Sequence, residues 1–176
     1  MLYEVYTDAD VALVAATAKV VLLFIYPNSA TTTPLIWTLV DYDIDIEGAA
    51  GTTSALVEIV ESTQATAGSG SSAGAARQLR GPKAVGLTTA VGSGGFGCTV
   101  NKGYTTDPTV LTPLVGPRKF IQGSTWTKQF PMGFQPITPS PGNATTVSAI
   151  GIRVTAPVAA NCRASLQLAL GGGAPS

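Results

Sequence analysis

The chain has 176 residues, ten acids against ten bases, 45% apolar and only 11% charged residues, no histidine, two cysteines, twenty glycines and twelve prolines. That length makes a single domain able to bury roughly 70% of the surface its unfolded form exposes, so neither metal nor disulfide is required to hold a core. The missing histidine removes Ser-His-Asp, Cys-His and histidine-zinc chemistry together, while Cys98 and Cys162 are too few for a thiolate zinc site and read as small buried thiols.

In chain order, Glu4, Asp8 and Asp10 precede the first base, Lys19, the reverse of a secretion signal's charged start. Residues 1–18 read as an N-terminal arm, with Leu2, Tyr3 and Tyr6 either reaching a neighbouring chain or forming an ordinary edge strand. Ala9 to Ala18 is the one stretch compatible with a helical turn, with Asp8 its only cap. Lys19 to Tyr26 is apolar at both parities and is predicted as a central strand covered on both faces, ending at the turn signal Pro27-Asn28-Ser29. It is far short of the roughly 20 apolar residues of a membrane helix.

Val40, Tyr42, Ile44 and Ile46 then alternate with Asp41, Asp43, Asp45 and Glu47, which predicts a strand with one buried and one acidic face. After a turn at Gly48 to Gly51, Ala55 to Glu61 is a third strand rich in β-branched residues, and the three together suggest an antiparallel meander. From Thr63 to Gly74 the composition collapses to Gly, Ser, Ala and Thr, so residues 63–97 read as a flexible loop insertion with β-like patches near Val85 to Val91. Short β character returns at Cys98 to Tyr104, Lys119 to Phe130 and Gly133 to Thr138, where prolines point to edges and Pro139 to Asn143 makes a turn.

The cleanest alternation closes the chain. Ile150, Ile152 and Val154 mark one half-buried strand, and Cys162, Ala164, Leu166, Leu168 and Leu170 the next; Gly171 to Ser176 reads as a disordered tail. Strands and turns without strand-helix alternation predict an all-β antiparallel sandwich over residues 19–170, of Greek-key or jelly-roll form, with a long Gly/Ser-rich loop.

Charge is scarce and segregated. Nine of the ten acids precede position 62 with Lys19 as their only opposite, and nine bases follow with Asp107 as the only acid. Either neighbouring subunits meet acid to base, or interleaved strands mix the two sets in space. Arg77, Arg80 and Lys83 form the only basic cluster and lack interleaved aromatics, so no direct nucleic-acid contact is expected.

The motif matches fail on context. Gly92 to Gly97 fits G-x-G-x-x-G, yet β-favouring Cys98-Thr99-Val100 follows where a phosphate-binding helix would start. Gly70-Ser71-Ser72-Ala73-Gly74 fits G-x-S-x-G without a histidine to take the serine proton. Asp41, Asp43 and Asp45 invite a calcium reading, but Ile46 and Thr52 stand where such a loop needs glycine and glutamate. A solvated or partner-facing acidic face is the better reading. No catalytic residue, metal ligand or cofactor is expected.

Four blocks carry a resemblance: Tyr3 to Lys19, Thr106-Asp107-Pro108-Thr109-Val110-Leu111-Thr112-Pro113, Phe130-Pro131-Met132-Gly133, and Gly151-Ile152-Arg153-Val154-Thr155-Ala156-Pro157. In this order they make the chain resemble a family of small virion structural proteins of tailed bacteriophages. The resemblance implies a β-sandwich, no enzymatic activity, and a capsid decoration or cement protein on the virion exterior after assembly in the host cytoplasm. Its implied partners are the major capsid protein and further copies of itself, most simply a trimer, with no membrane. On that footing Leu2, Tyr3, Tyr6, Asp41, Asp43, Asp45, Arg77, Arg80 and Lys83 are the expected interface residues. The alternatives are a tail or baseplate component, and a carbohydrate-binding adhesin in which Trp37 and Trp126 stack on sugars; the parity that Trp126 shares with Phe130 argues for core packing instead.

Overall fold

The computed structural model describes residues 1–26, 37–48, 53–62, 67–80, 87–88, 96–108, 111–132, 134–136 and 148–171. The turns expected at Pro27 to Ser29 and Pro139 to Asn143, the glycine motif at 92–95, Lys83 and the tail beyond Gly171 lie outside the described residues. Among those residues there are twelve strands and no helix.

The strands are β1 (Leu2–Tyr6), β2 (Val11–Leu13), β3 (Ala18–Tyr26), β4 (Trp37–Ile46), β5 (Ser54–Ser62), β6 (Ser72–Ala73), β7 (Ala75–Arg80), β8 (Thr99–Lys102), β9 (Leu111–Ile121), β10 (Ser124–Gln129), β11 (Ser148–Thr155) and β12 (Ala160–Leu170). They form two antiparallel sheets packed face to face. Sheet I runs β10-β4-β12-β1-β7, with β2 also on β12; sheet II runs β6-β8-β3-β11-β5-β9. The expected all-β sandwich is what the chain forms.

Between the sheets lies one large core, in which Phe24 meets Trp37 edge to face at 5.0 Å and Tyr3 meets the same indole at 5.9 Å. Trp37 is wholly buried, and Trp126 packs on Phe120 at 4.2 Å and Tyr42 at 5.3 Å. Both indoles are therefore used in packing. Cys98 and Cys162 are free, buried thiols, each pushed up to about 12 by burial, which makes them poor nucleophiles.

β3 is internal, as its two-sided hydrophobicity predicts. A register shift lies between its pairs Leu22–Ile152 and Val20–Arg153, so Val20 and Leu23 join Ala149 in a second, smaller cluster under Tyr104. The Val20 N–H donates to Asp107 Oδ1 at 2.8 Å. Asp107, the one acid late in the chain, is thus used to satisfy the backbone beside an irregularity. Between β3 and β5, β11 lies so close that a Cβ on Gly151 would stand 2.4 Å from the Leu22 carbonyl oxygen.

Several expectations are corrected. The three early runs do not form a meander: β3 and β5 flank β11 in sheet II, while β4 lies in sheet I between β10 and β12. The last two alternating strands also separate, β11 into sheet II and β12 into sheet I. Alternation identifies a strand's buried face but not the sheet that owns it. Residues 1–18 are no arm, because Tyr3 and Val5 alternate with Glu4 and Tyr6 and place β1 inside sheet I between β12 and β7. No helical turn forms over 9–18: Val11–Leu13 pairs with β12, and Ala16 turns the chain at φ 56°.

Within the expected flap, residues 67–80 contribute β6 and β7. Small side chains hide these strands from a hydrophobicity reading, yet they permit close backbone approach. Gly68 lies against the Tyr104 ring, and Gly74 N–H donates to the Val100 carbonyl at 2.9 Å.

Candidate interaction face

In antiparallel pairs, directly opposed residues share a face, so the registers of sheet I write out its outer surface. Thr125, Asp45 and Arg163 form one row across β10, β4 and β12. Thr127, Asp43, Ser165, Tyr6 and Ala75 form the next, continuing through β1 to β7. Gln129, Asp41, Gln167, Glu4 and Arg77 form the third, and Thr38, Ala169, Leu2 and Arg80 the fourth. Seven of the nine residues expected at an interface therefore meet on one surface. Tyr3 does not: it is 1% exposed and belongs to the core, because its parity on β1 is that of Val5.

The parity of β4 explains how the acids come to face outward. Trp37 and Leu39 are buried at odd positions, Tyr42, Ile44 and Ile46 at even ones, and a register shift between Leu168–Leu39 and Gln167–Asp41 absorbs the change. Both apolar sets thereby enter one core, leaving the three aspartates on the opposite side.

Ion pairs cross this surface and the rest of the molecule. Glu4 binds Arg77, Asp8 binds Lys102, Asp10 binds Arg163, and Glu58 binds Arg153 at 2.9 Å. Every pair joins an acid from the first 61 residues to a base beyond 76. Of the two readings of the segregated charge, interleaving within one molecule is therefore realised. Arg77 also lies 5.7 Å from the centre of the Tyr6 ring, and the Glu4 carboxylate it donates to raises its already high pKa.

Asp41, Asp43 and Asp45 lie outside this pairing, with no ion pair to any of them among the described residues. Asp43 Oδ2 accepts from the Ser165 hydroxyl at 3.4 Å, while Oδ1 of both Asp41 and Asp43 is out of water with no donor. Burial first, then the neighbouring Asp43 charge, pushes Asp41 up to about 6 against the opposing pull of the Tyr42 N–H. A depression of about 260 Å³ opens beside them, lined by Glu4, Tyr6, Asp43, Asp45, Arg163 and Ser165 among others.

The face is exposed in part: the Arg77 and Arg163 side chains are 62% and 57% exposed, whereas Asp41 and Ser165 are buried. The other outer face, on sheet II, is instead partly capped by its own chain where Tyr104 covers Val20, Leu23 and Ala149. Arg163, Ser165 and Glu4 were not among the expected residues. Their outward parity is readable in β12 and β1, but their meeting with β4 is a long-range pairing that no local pattern announces.

Among the described residues no group of three or more His, Cys, Asp or Glu could hold a metal ion, and no helix is long and apolar enough to cross a membrane. No protein-family model, curated protein or solved structure matches the chain.

Proposed function

We propose that this protein is a structural component of a tailed-bacteriophage virion that decorates the mature capsid and stabilises it by binding across capsid subunits, with no bond made or broken. The observation that carries this reading is a sandwich in which three sheet edges are blunted and the outer side of sheet I gathers polar and charged residues of β4, β12, β1 and β7. Sheet edges are the usual route to unplanned association, and here three of them are blunted. β9 carries Pro113 and Pro117, β6 has two residues, and β10 holds Lys128 directly opposite core-facing Tyr42. Beside the edges, a partner has the outer side of sheet I, where polar and charged side chains of β4, β12, β1 and β7 share one surface.

The low charge content supports the same reading, since a free protein relies on surface charge to stay dispersed. So does the resemblance of the four sequence blocks to virion structural proteins. Binding only to the expanded lattice stabilises it by mass action, about 2.7 kcal/mol per site when the free protein is at a hundredfold excess over Kd. Repetition over the shell then opposes internal pressure from the genome.

The test is occupancy. Labelled protein should saturate expanded capsids stripped of decoration and leave unexpanded precursors bare; equal binding to both, or to neither, contradicts the proposal.

A further inference from the structure

We propose that the outer edge of β7 is a strand-addition site, which takes an extended acidic segment of a protein partner as a further antiparallel strand of sheet I. The partner's identity as a shell subunit rests on the function proposed above; the edge site does not.

Contrast among the edges is the first argument. β6, β9 and β10 each carry a device that hinders pairing, whereas β7 runs for six residues without a proline. Among the described residues it borders β1 alone. A strand bonded on one side leaves the N–H and C=O groups of every second residue directed away from its neighbour. Such a row is a template on which an extended segment adds, through main-chain bonds that ask little of its sequence. At the start of the row, Ala75 and Ala76 cover the backbone with nothing larger than a methyl group.

The strand is also held ready. Its chain arrives from sheet II through Gly74, whose N–H donates to the Val100 carbonyl at 2.9 Å and where an added Cβ would stand 3.2 Å from the Tyr6 carbonyl oxygen. Further along, Arg77 is fixed by Glu4 and lies over the Tyr6 ring. An edge ordered in advance loses little further freedom when a partner pairs with it.

Charge selects the occupant. Arg77 and Arg80 stand opposite Glu4 and Leu2 of β1, so both belong to the outer face; the register shift between them accommodates one extra residue, Leu79. Both arginines are exposed, and no ion pair to Arg80 exists among the described residues. Like charges facing each other across a strand pair are destabilising. A second copy of β7 would gather two arginines from each chain on one strip, whereas an incoming strand with carboxylates at alternate positions meets both. The guanidinium has five N–H donors, so Arg77 can keep Glu4 and still receive a second carboxylate.

The test uses the isolated protein and a blocked hexapeptide of alternating valine and aspartate, followed by backbone amide NMR and hydrogen exchange. One control replaces aspartate by lysine. Two others carry N-methyl groups on all valines or on all aspartates, each removing the donors of one peptide edge only. The edge site predicts saturable shifts and slowed exchange at β7 amides with the aspartate peptide, weakening as salt is raised, and no response to the lysine peptide. One N-methylated form should lose binding and the other keep it. Arg80→Gln, which leaves the Arg77–Glu4 pair in place, should weaken the affinity about threefold, as removal of an exposed ion pair does; should that variant fold poorly, the lysine peptide tests the charge on the unaltered chain. No response, an equal response to lysine, an equal effect of the two methylations, or dimerisation of the protein alone through β7 would overturn the proposal. Peptide binding by a protein that leaves capsids bare would retain the edge site and remove the shell; capsid binding without a peptide response would do the reverse.

Discussion

Asp41 is the residue at which folding and surface chemistry conflict. Its folded-state pKa of about 6 stands above the ordinary aspartate value of 3.8, so the native state holds the proton more tightly than the unfolded chain does. The sign follows: the stability linked to this proton is fully present below about pH 4 and is lost as pH rises through 6. Asp41→Asn, which keeps the shape and removes the charge, should therefore raise the urea midpoint near pH 7.5 and leave it almost unchanged near pH 4. An equal effect at both pH values would show that the carboxylate is already compensated. Asp107 is also raised by burial, but there the Val20 N–H and the charges of Arg153 and Lys19 pull the other way, as suits a carboxylate with a structural partner.

At the scale of the element, edge strand β10 carries its own safeguard. It pairs with β4 on one side only, and Lys128, opposite Tyr42, puts a cation on the core-facing side of the strand. Lys128→Val should complete an apolar row with Trp126 and Phe130 and promote edge-to-edge association. The expected result is a concentration-dependent dimer or larger species in sedimentation velocity, against an unchanged distribution if the lysine is merely solvated. The strands themselves were largely legible: β3 from two-sided hydrophobicity, β4 from Asp-apolar alternation, β5 from β-branched content, and β11 and β12 from strict period two. Their partners were not. β12 pairs with β4 more than a hundred residues away and β1 is enclosed by β12 and β7, registers decided by how two sheets close on one core. β6 and β7 were hidden for another reason, since Gly, Ala and Ser supply backbone pairing with almost no side-chain signal.

For the molecule as a whole, the same interleaving that scrambles sequence order neutralises the segregated charge. Four acid-base pairs drawn from opposite ends of the chain tie strands together, and the unpaired aspartates of β4 are left on the outer side of sheet I. Much of the candidate face was visible as residue types, with Asp41, Asp43, Asp45 and Arg77 identified before their meeting could be. That meeting depends on β1 and β12 lying between β4 and β7. We propose that a protein built this way, with three blunted sheet edges and a polar outer side on sheet I, works by apposition. The most direct measurement is an electron cryomicroscopy reconstruction of purified virions carrying this chain. The account predicts copies of the sandwich on the outer capsid surface with the outer side of sheet I turned toward the shell. Density confined to the tail, that face turned to solvent, or particles that lack the protein while it remains a free monomer would contradict it.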